Sequence, residues 1–150
     1  MKVCVGGTFN VLHRGHRVLI DKAIQTAGKN GMVFIGVAKG KIAYTKKYSV
    51  PFNKRVKTLK KYLAKKGYTE QTVVLPLSDR YGPAVYEDYD AIIVSPESLQ
   101  NAVDINLKRK KLGKKLLKII QIPLILAEDR KPIRSTRILD EEIDENGKIV

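Results

Sequence analysis

Apolar and polar positions along this chain switch repeatedly between the period of a strand and the period of a helix. Lys2 to Val5 is a short apolar run that ends at a glycine pair. From Arg17 to Ala27 the apolar residues Val18, Leu19, Ala23, Ile24 and Ala27 recur at helical spacing, and Gly28 stops the run. Met32 to Ala38 is β-branched and reads as a buried strand, whereas Gly40 to Val50 has no period and reads as a loop. Asn53 is the expected cap of a helix with Val56, Leu59, Tyr62 and Leu63 on one face, lysines on the other, and Gly67 at its end. Thr72 to Leu77 is the third strand, followed by a loop over Asp79 to Pro83 and a helical turn around Ala84 to Glu87. Ala91 to Val94 is wholly apolar, as befits a central parallel strand covered on both faces. Ser95-Pro96-Glu97 places a proline at the first position of a helix that runs through Val103, Leu107 and Leu112 to Gly113. Ile119 to Leu126 is the fifth strand, and beyond a turn at Asp129 to Pro132, Ser135 or Thr136 caps a last short helix.

Strands that alternate with helices predict an α/β fold: a Rossmann-like five-stranded parallel sheet with helices on both faces, as one domain over residues 1–150. Ligands of such sheets bind beyond the carboxyl ends of the strands, where strand order reverses. The segments after the strands are 7–16, 39–47, 79–83, 95–97 and 129–136, so all five are expected on one rim.

Composition narrows the class. With 43% hydrophobic residues in 150, the chain can bury about two thirds of its unfolded surface. Its longest apolar-rich run, Ile119 to Ala127, is interrupted by Gln121 and Pro123 and is far short of the roughly 20 residues of a membrane span. The chain starts on a strand without a charged leader, and its single cysteine, Cys4, sits inside that strand; a cytoplasmic protein with a core cysteine is expected.

The net charge of +14 raises the question of nucleic acid. Eleven Lys/Arg and no acid lie between Lys39 and Lys66, and seven more between Lys108 and Lys118. Lysines outnumber arginines and aromatics make up only 7%, whereas nucleic-acid readers rely on arginine forks and aromatic platforms. A small polyanionic substrate accounts for a basic mouth equally well.

Chemistry concentrates in Gly6-Gly7-Thr8-Phe9-Asn10-Val11-Leu12-His13-Arg14-Gly15-His16, which holds both histidines of the chain. A glycine-rich turn, a hydroxyl and two imidazoles three residues apart meet there at the start of a helix, where unpaired N–H groups favour phosphate. Three readings compete. Zinc needs a third and fourth ligand, and the chain has no further His. Histidines satisfied in the core are the bland reading, and a phosphate-handling pair is the sharp one. The acidic cluster of Asp129, Asp140, Glu141, Glu142 and Asp144 reads as a solvated face rather than a metal site.

Thr8 followed by His13-Arg14-Gly15-His16 resembles the T-x-x-x-x-H-x-G-H signature of the nucleotidyltransferase superfamily. Within it the chain resembles the archaeal-type phosphopantetheine adenylyltransferases, nearly end to end. Gly82-Pro83-Ala84, Ser95-Pro96-Glu97, Ile105-Asn106 with Arg109, and Leu126-Ala127-Glu128-Asp129 before Pro132-Ile133 carry that likeness. The resemblance implies transfer of AMP from ATP to 4′-phosphopantetheine, with Mg²⁺ as the counter-ion of ATP, no nucleic-acid or membrane partner, and an oligomeric state left open. It implies Thr8, His16 and Lys46 as catalytic residues. It implies Gly7, Phe9, His13, Gly15, Arg109, Ser135, Thr136 and Arg137 on ATP, and Thr8, Lys46 or Lys47, and Arg55 on the acceptor phosphate. The family's second signature, I-S-S-T-x-x-R, reads here Ile133-Arg134-Ser135-Thr136-Arg137-Ile138-Leu139. Arg134 replaces a serine and Leu139 the closing arginine, so Arg137 or Arg134 is left to supply the guanidinium. The alternatives are a sister enzyme acting on FMN, nicotinamide mononucleotide or glycerol phosphate, and a non-catalytic basic nucleic-acid binder.

Overall fold

A computed structural model describes residues 1–43 and 48–150 of the chain. Five strands, β1 (Lys2–Gly7), β2 (Met32–Ala38), β3 (Thr72–Leu77), β4 (Ala91–Val94) and β5 (Lys118–Gln121), form one sheet in the order β3-β2-β1-β4-β5. Every pairing is parallel. The α-helices are α1 (Arg14–Ala27), α2 (Phe52–Lys65), α3 (Leu99–Lys111) and α4 (Ser135–Leu139).

The period-2 alternation of the strands sorts side chains into two cores. Val3, Val5, Val33, Ile35, Val37, Ala91 and Ile93 pack against α1 and α2 through Ile20, Ala23, Leu59 and Leu63. Cys4, Ile92 and Val94 point to the other face and pack against Ala102 and Ile105 of α3. The expected Rossmann-like sheet with helices on both faces is therefore observed. Burial pushes the Cys4 thiol up to about 12, so it stays a protonated core group.

Strand order reverses between β1 and β4, which opens a crevice beyond their carboxyl ends. Several boundaries differ from expectation, three of them around the later strands and helices. β5 stops at Gln121, because Ile122 N–H makes the last cross-strand bond, to Val94 O at 2.8 Å, and Pro123 has no N–H to continue it. Residues 122–125 then turn to face the crevice. The 95–98 segment is a turn closed by Ser98 Oγ on Ser95 N–H at 3.0 Å, and the helix starts only at Leu99. α2 begins at Phe52 after Pro51, with no side-chain cap from Asn53.

Candidate active site

α1 starts three residues earlier than its apolar period suggests, because His13 caps it. His13 Nδ1 accepts the N–H groups of Gly15 at 3.1 Å and His16 at 3.4 Å, while His16 Nδ1 accepts His13 N–H at 3.3 Å. This is a capping box built from two imidazoles. It also assigns the tautomer: with both δ nitrogens accepting, each ring carries its proton on Nε2. The rings stack with centroids 3.8 Å apart and planes 20° apart, and Phe9 closes on His16 at 4.8 Å. Phe9 takes a positive φ of 55°, a conformation unusual for a bulky side chain, and is buried in this pose.

Burial, reinforced by neighbouring Arg17, lowers His13 to about 4. Burial first, then stacked His13, with Arg17 adding to them, lowers His16 to about 3 against an opposing hydrogen bond to the Val11 backbone. Both imidazoles are accordingly neutral N–H donors at neutral pH. Gly15 has to be small: a Cβ there would stand 2.9 Å from His13 Cε1.

Two cavities meet at this turn. One, of about 350 Å³, is lined by Phe9, Asn10, His13, Gly15 and His16 on one side and by Ile122 to Ile125 on another. Arg134, Ser135 and Thr136 complete it, with Ser95 and Glu97 at the edge. The other, of about 300 Å³, is lined mainly by apolar groups of the sheet edge and following loops, among them Phe34, Leu75, Leu77, Tyr81, Tyr89 and Ile92. Ile42 also lines it. Thr8 and Glu97 belong to both cavities. Two carbonyl oxygens among the described residues, Asn10 Oδ1 and Asn101 Oδ1, are buried without a hydrogen-bond partner. Asn10 lies in the wall of the first cavity and Asn101 in that of the second. Such acceptors suit ligand donors.

The expected residues divide. Thr8, Phe9, His13, Gly15, His16, Ser135 and Thr136 converge on the histidine-floored cavity, whereas Gly7 faces the apolar one. Ser135 Oγ is a fastener as well: it donates to Val11 O and accepts Val11 N–H, both at 3.2 Å. Lys46 and Lys47 lie outside the described residues.

Three of the expected arginines are engaged by the protein itself. Arg55 lines neither cavity; it is buried and donates to Val50 O at 2.8 Å and to Thr8 O and Ala38 O at 2.7 Å, which ties the signature turn to the end of β2. Arg109 is 2% exposed and donates to Lys115 O, Ala84 O and Glu87 O at 2.7 to 2.9 Å, so it holds loops together and lines neither cavity. Arg137 is bound to Asp129, to Pro132 O at 2.9 Å and to Glu142 at 3.5 Å. Arg134 is the guanidinium in the wall of the cavity, paired with Glu97 at 2.8 Å. Sequence reasoning placed Ser95–Glu97 on the rim but gave Glu97 no role, and it missed Asn10, Asn101 and the Ile122–Ile125 wall. The early proline in the fifth apolar run was the available signal for that wall.

A family model described as cytidylyltransferase-like matches residues 4–141. The chain is 40% identical over 151 residues to a phosphopantetheine adenylyltransferase of Archaeoglobus fulgidus, covering all of both chains. It is 45% identical over 150 residues to one of Methanosarcina mazei, covering 99% of this chain and 96% of that one. A bifunctional phosphopantetheine adenylyltransferase/NTP phosphatase of Thermoplasma volcanium is 42% identical, and this chain spans 44% of its length. Among solved structures, an Archaeoglobus fulgidus protein of unknown function superposes with a TM-score of 0.75 at 33% identity, covering 89% of this chain and all of that one. A tyrosyl-tRNA synthetase from the same organism shares the fold, with a TM-score of 0.66 at 13% identity, over 91% of this chain and 59% of the other.

Proposed function

This chain belongs to the phosphopantetheine adenylyltransferases of the cytidylyltransferase-like family, and we propose that it transfers AMP from ATP to 4′-phosphopantetheine, giving dephospho-CoA and pyrophosphate. The observation that carries the reading is the stacked, neutral histidine pair on the floor of one cavity, with Thr8 at the junction to a second. Two adjoining cavities suit a reaction between two substrates. The histidine-floored one takes the nucleotide, whose base finds the apolar Ile122–Ile125 wall and whose phosphates lie over the imidazoles. The apolar one takes the pantetheine arm, whose amide N–H groups suit the unpartnered Asn101 Oδ1.

In this reading an oxygen of the acceptor phosphate attacks the α-phosphorus, and the bond from that phosphorus to the bridging oxygen of pyrophosphate breaks. The nucleophile is already ionised, so no general base is required. What the protein supplies is alignment and stabilisation of negative charge. His16 and His13 offer Nε2–H hydrogen bonds without giving up a proton, and their low proton affinity keeps them in that state. Thr8 orients the attacking phosphate, and Thr136 adds a hydroxyl on the phosphate side. Lys46 or Lys47 supplies the cation for the acceptor phosphate.

Among the described residues no group of three or more His, Cys, Asp or Glu stands ready to hold a metal ion. The reading takes Mg²⁺ to arrive on ATP, where phosphate oxygens and water would hold it. Bound in this way, the ion neutralises phosphate charge. No helix among the described residues is long and apolar enough to cross a membrane. The reading takes the enzyme to be cytoplasmic, in keeping with a single buried cysteine that has no second thiol to pair with.

A turnover panel tests the substrate assignment. ATP with phosphopantetheine is expected to exceed every combination of ATP or CTP with FMN, nicotinamide mononucleotide or glycerol phosphate. Preference for one of the latter would transfer the assignment to a sister enzyme.

A further inference from the structure

We propose that Arg134 is the guanidinium that binds the β- and γ-phosphates of ATP, and that Glu97 holds it in place until the triphosphate takes it over. The inference rests on the adenylyltransferase reading and names a specificity-determining cation within that site.

The argument starts from the charge of the nucleotide cavity. Among its described lining residues, Arg134 alone carries a permanent positive charge and Glu97 alone a negative one. The two form an ion pair at 2.8 Å. His13 and His16 add hydrogen-bond donors but no charge at neutral pH. The protein is strongly basic as a whole, yet the wall of this cavity is electrically balanced. A triphosphate brings several negative charges into it, and among the described lining residues Arg134 is the one cation to answer them.

The neighbouring guanidinium is committed elsewhere. Arg137, three residues on, has 12% of its side chain exposed and is held by Asp129, Glu142 and Pro132 O. Arg134 and Glu97 instead have 54% and 49% of their side chains exposed. An ion pair so accessible to water is weak and easily exchanged. Phosphate offers the planar fork two oxygens and a higher charge, so exchange favours the nucleotide. The two partners also come from separate segments, Glu97 from the turn after β4 and Arg134 from the residue that precedes α4. Their pairing spans the cavity edge, and it sets the guanidinium at the nucleotide side with its charge masked.

The exchange makes two opposite demands. Removing the guanidinium should weaken ATP but not AMP, which has no β- or γ-phosphate. Removing the carboxylate charge should strengthen ATP, because the guanidinium no longer has to leave a partner.

Titration calorimetry with ATP and with AMP, in Mg²⁺ buffer, on wild type, Arg134→Ala, Arg134→Lys and Glu97→Gln tests both. Arg134→Ala is expected to weaken ATP by about tenfold or more. Its AMP affinity should stay within about twofold of wild type, and Arg134→Lys should recover part of the loss. Glu97→Gln is expected to tighten ATP by about threefold. In turnover, Arg134→Ala should show its effect mainly in KM for ATP. The inference is overturned if Arg134→Ala weakens AMP and ATP alike, if it leaves ATP unchanged, or if Glu97→Gln weakens ATP. A wild type that makes dephospho-CoA while Arg134→Ala binds ATP normally sinks this inference alone. A wild type that binds neither nucleotide sinks the adenylyltransferase reading with it.

Discussion

His13 and His16 show how two side chains serve structure and chemistry at once. Their δ nitrogens accept the N–H groups of α1's first turn, and this turns both Nε2–H groups into fixed donors. The bland reading, histidines satisfied by backbone, and the sharp one, a phosphate-handling pair, therefore describe the two edges of the same rings. The spacing of three residues was legible in the sequence; the stacking and the reciprocal cap were not, because they depend on Phe9 and on burial. With pKa values near 4 and 3 in the fold against about 6.5 unfolded, the folded state takes up fewer protons than the unfolded chain as pH drops below 6.5. The stability they contribute is thus complete above about pH 6.5 and is lost as pH falls toward 3 to 4. Urea midpoints are expected to decline between pH 7 and 5, above the carboxylate range, and imidazole NMR signals should show no titration in that interval. Rings that titrate near pH 6.5 would contradict the buried, neutral pair. Gly15→Ala tests the packing: the new Cβ would press on the His13 ring, and kcat is expected to fall on the order of a hundredfold.

At the scale of elements, arginine was the residue most easily misread. Arg55 and Arg109 stood in basic runs where a solvated or phosphate-binding role was natural, yet each points inward onto main-chain carbonyls. Periodicity tracks apolar faces and gives no sign of a buried guanidinium at a helix's inner edge. Arg55 links Thr8 O, Ala38 O and Val50 O, and its loss leaves buried acceptors unpaired. Arg55→Met is expected to destabilise the fold by about 3 kcal/mol, read from the urea midpoint. A variant that keeps its midpoint while losing phosphopantetheine affinity would restore Arg55 to the acceptor site. The last residues are a second element-scale surprise. Arg14 N–H donates to Glu145 O at 2.9 Å, Arg17 donates to Asn146 at 2.5 Å, and Ile143 is buried against Ala127 and Ile133. Interleaved with and following the acidic cluster, whose carboxylates are exposed or half-buried, Ile143, Glu145 and Asn146 brace the start of α1.

On the scale of the whole molecule, the sheet was readable because four of its strands are uninterrupted apolar runs between turn residues, and β2, β3 and β4 keep their expected limits. The convergence of post-strand segments on one rim followed from parallel topology alone. What no period encodes is how those segments pack, and so the division into two cavities sharing Thr8 and Glu97 emerged only in three dimensions. The charge of +14 also acts at this scale. It draws polyanionic substrates from beyond contact distance, so kcat/KM is expected to fall as ionic strength rises, with kcat nearly constant. A flat salt profile would remove steering from the account.

The most direct measurement combines ATP, Mg²⁺ and 4′-phosphopantetheine with the wild-type protein and with His16→Ala, and follows dephospho-CoA by mass spectrometry alongside pyrophosphate. The wild type is expected to form both in equal amounts, and the folded His16→Ala protein to do so about a hundred- to a thousandfold more slowly. No dephospho-CoA from the wild type, or an undiminished rate from His16→Ala, would contradict the claim that these stacked imidazoles stabilise adenylyl transfer.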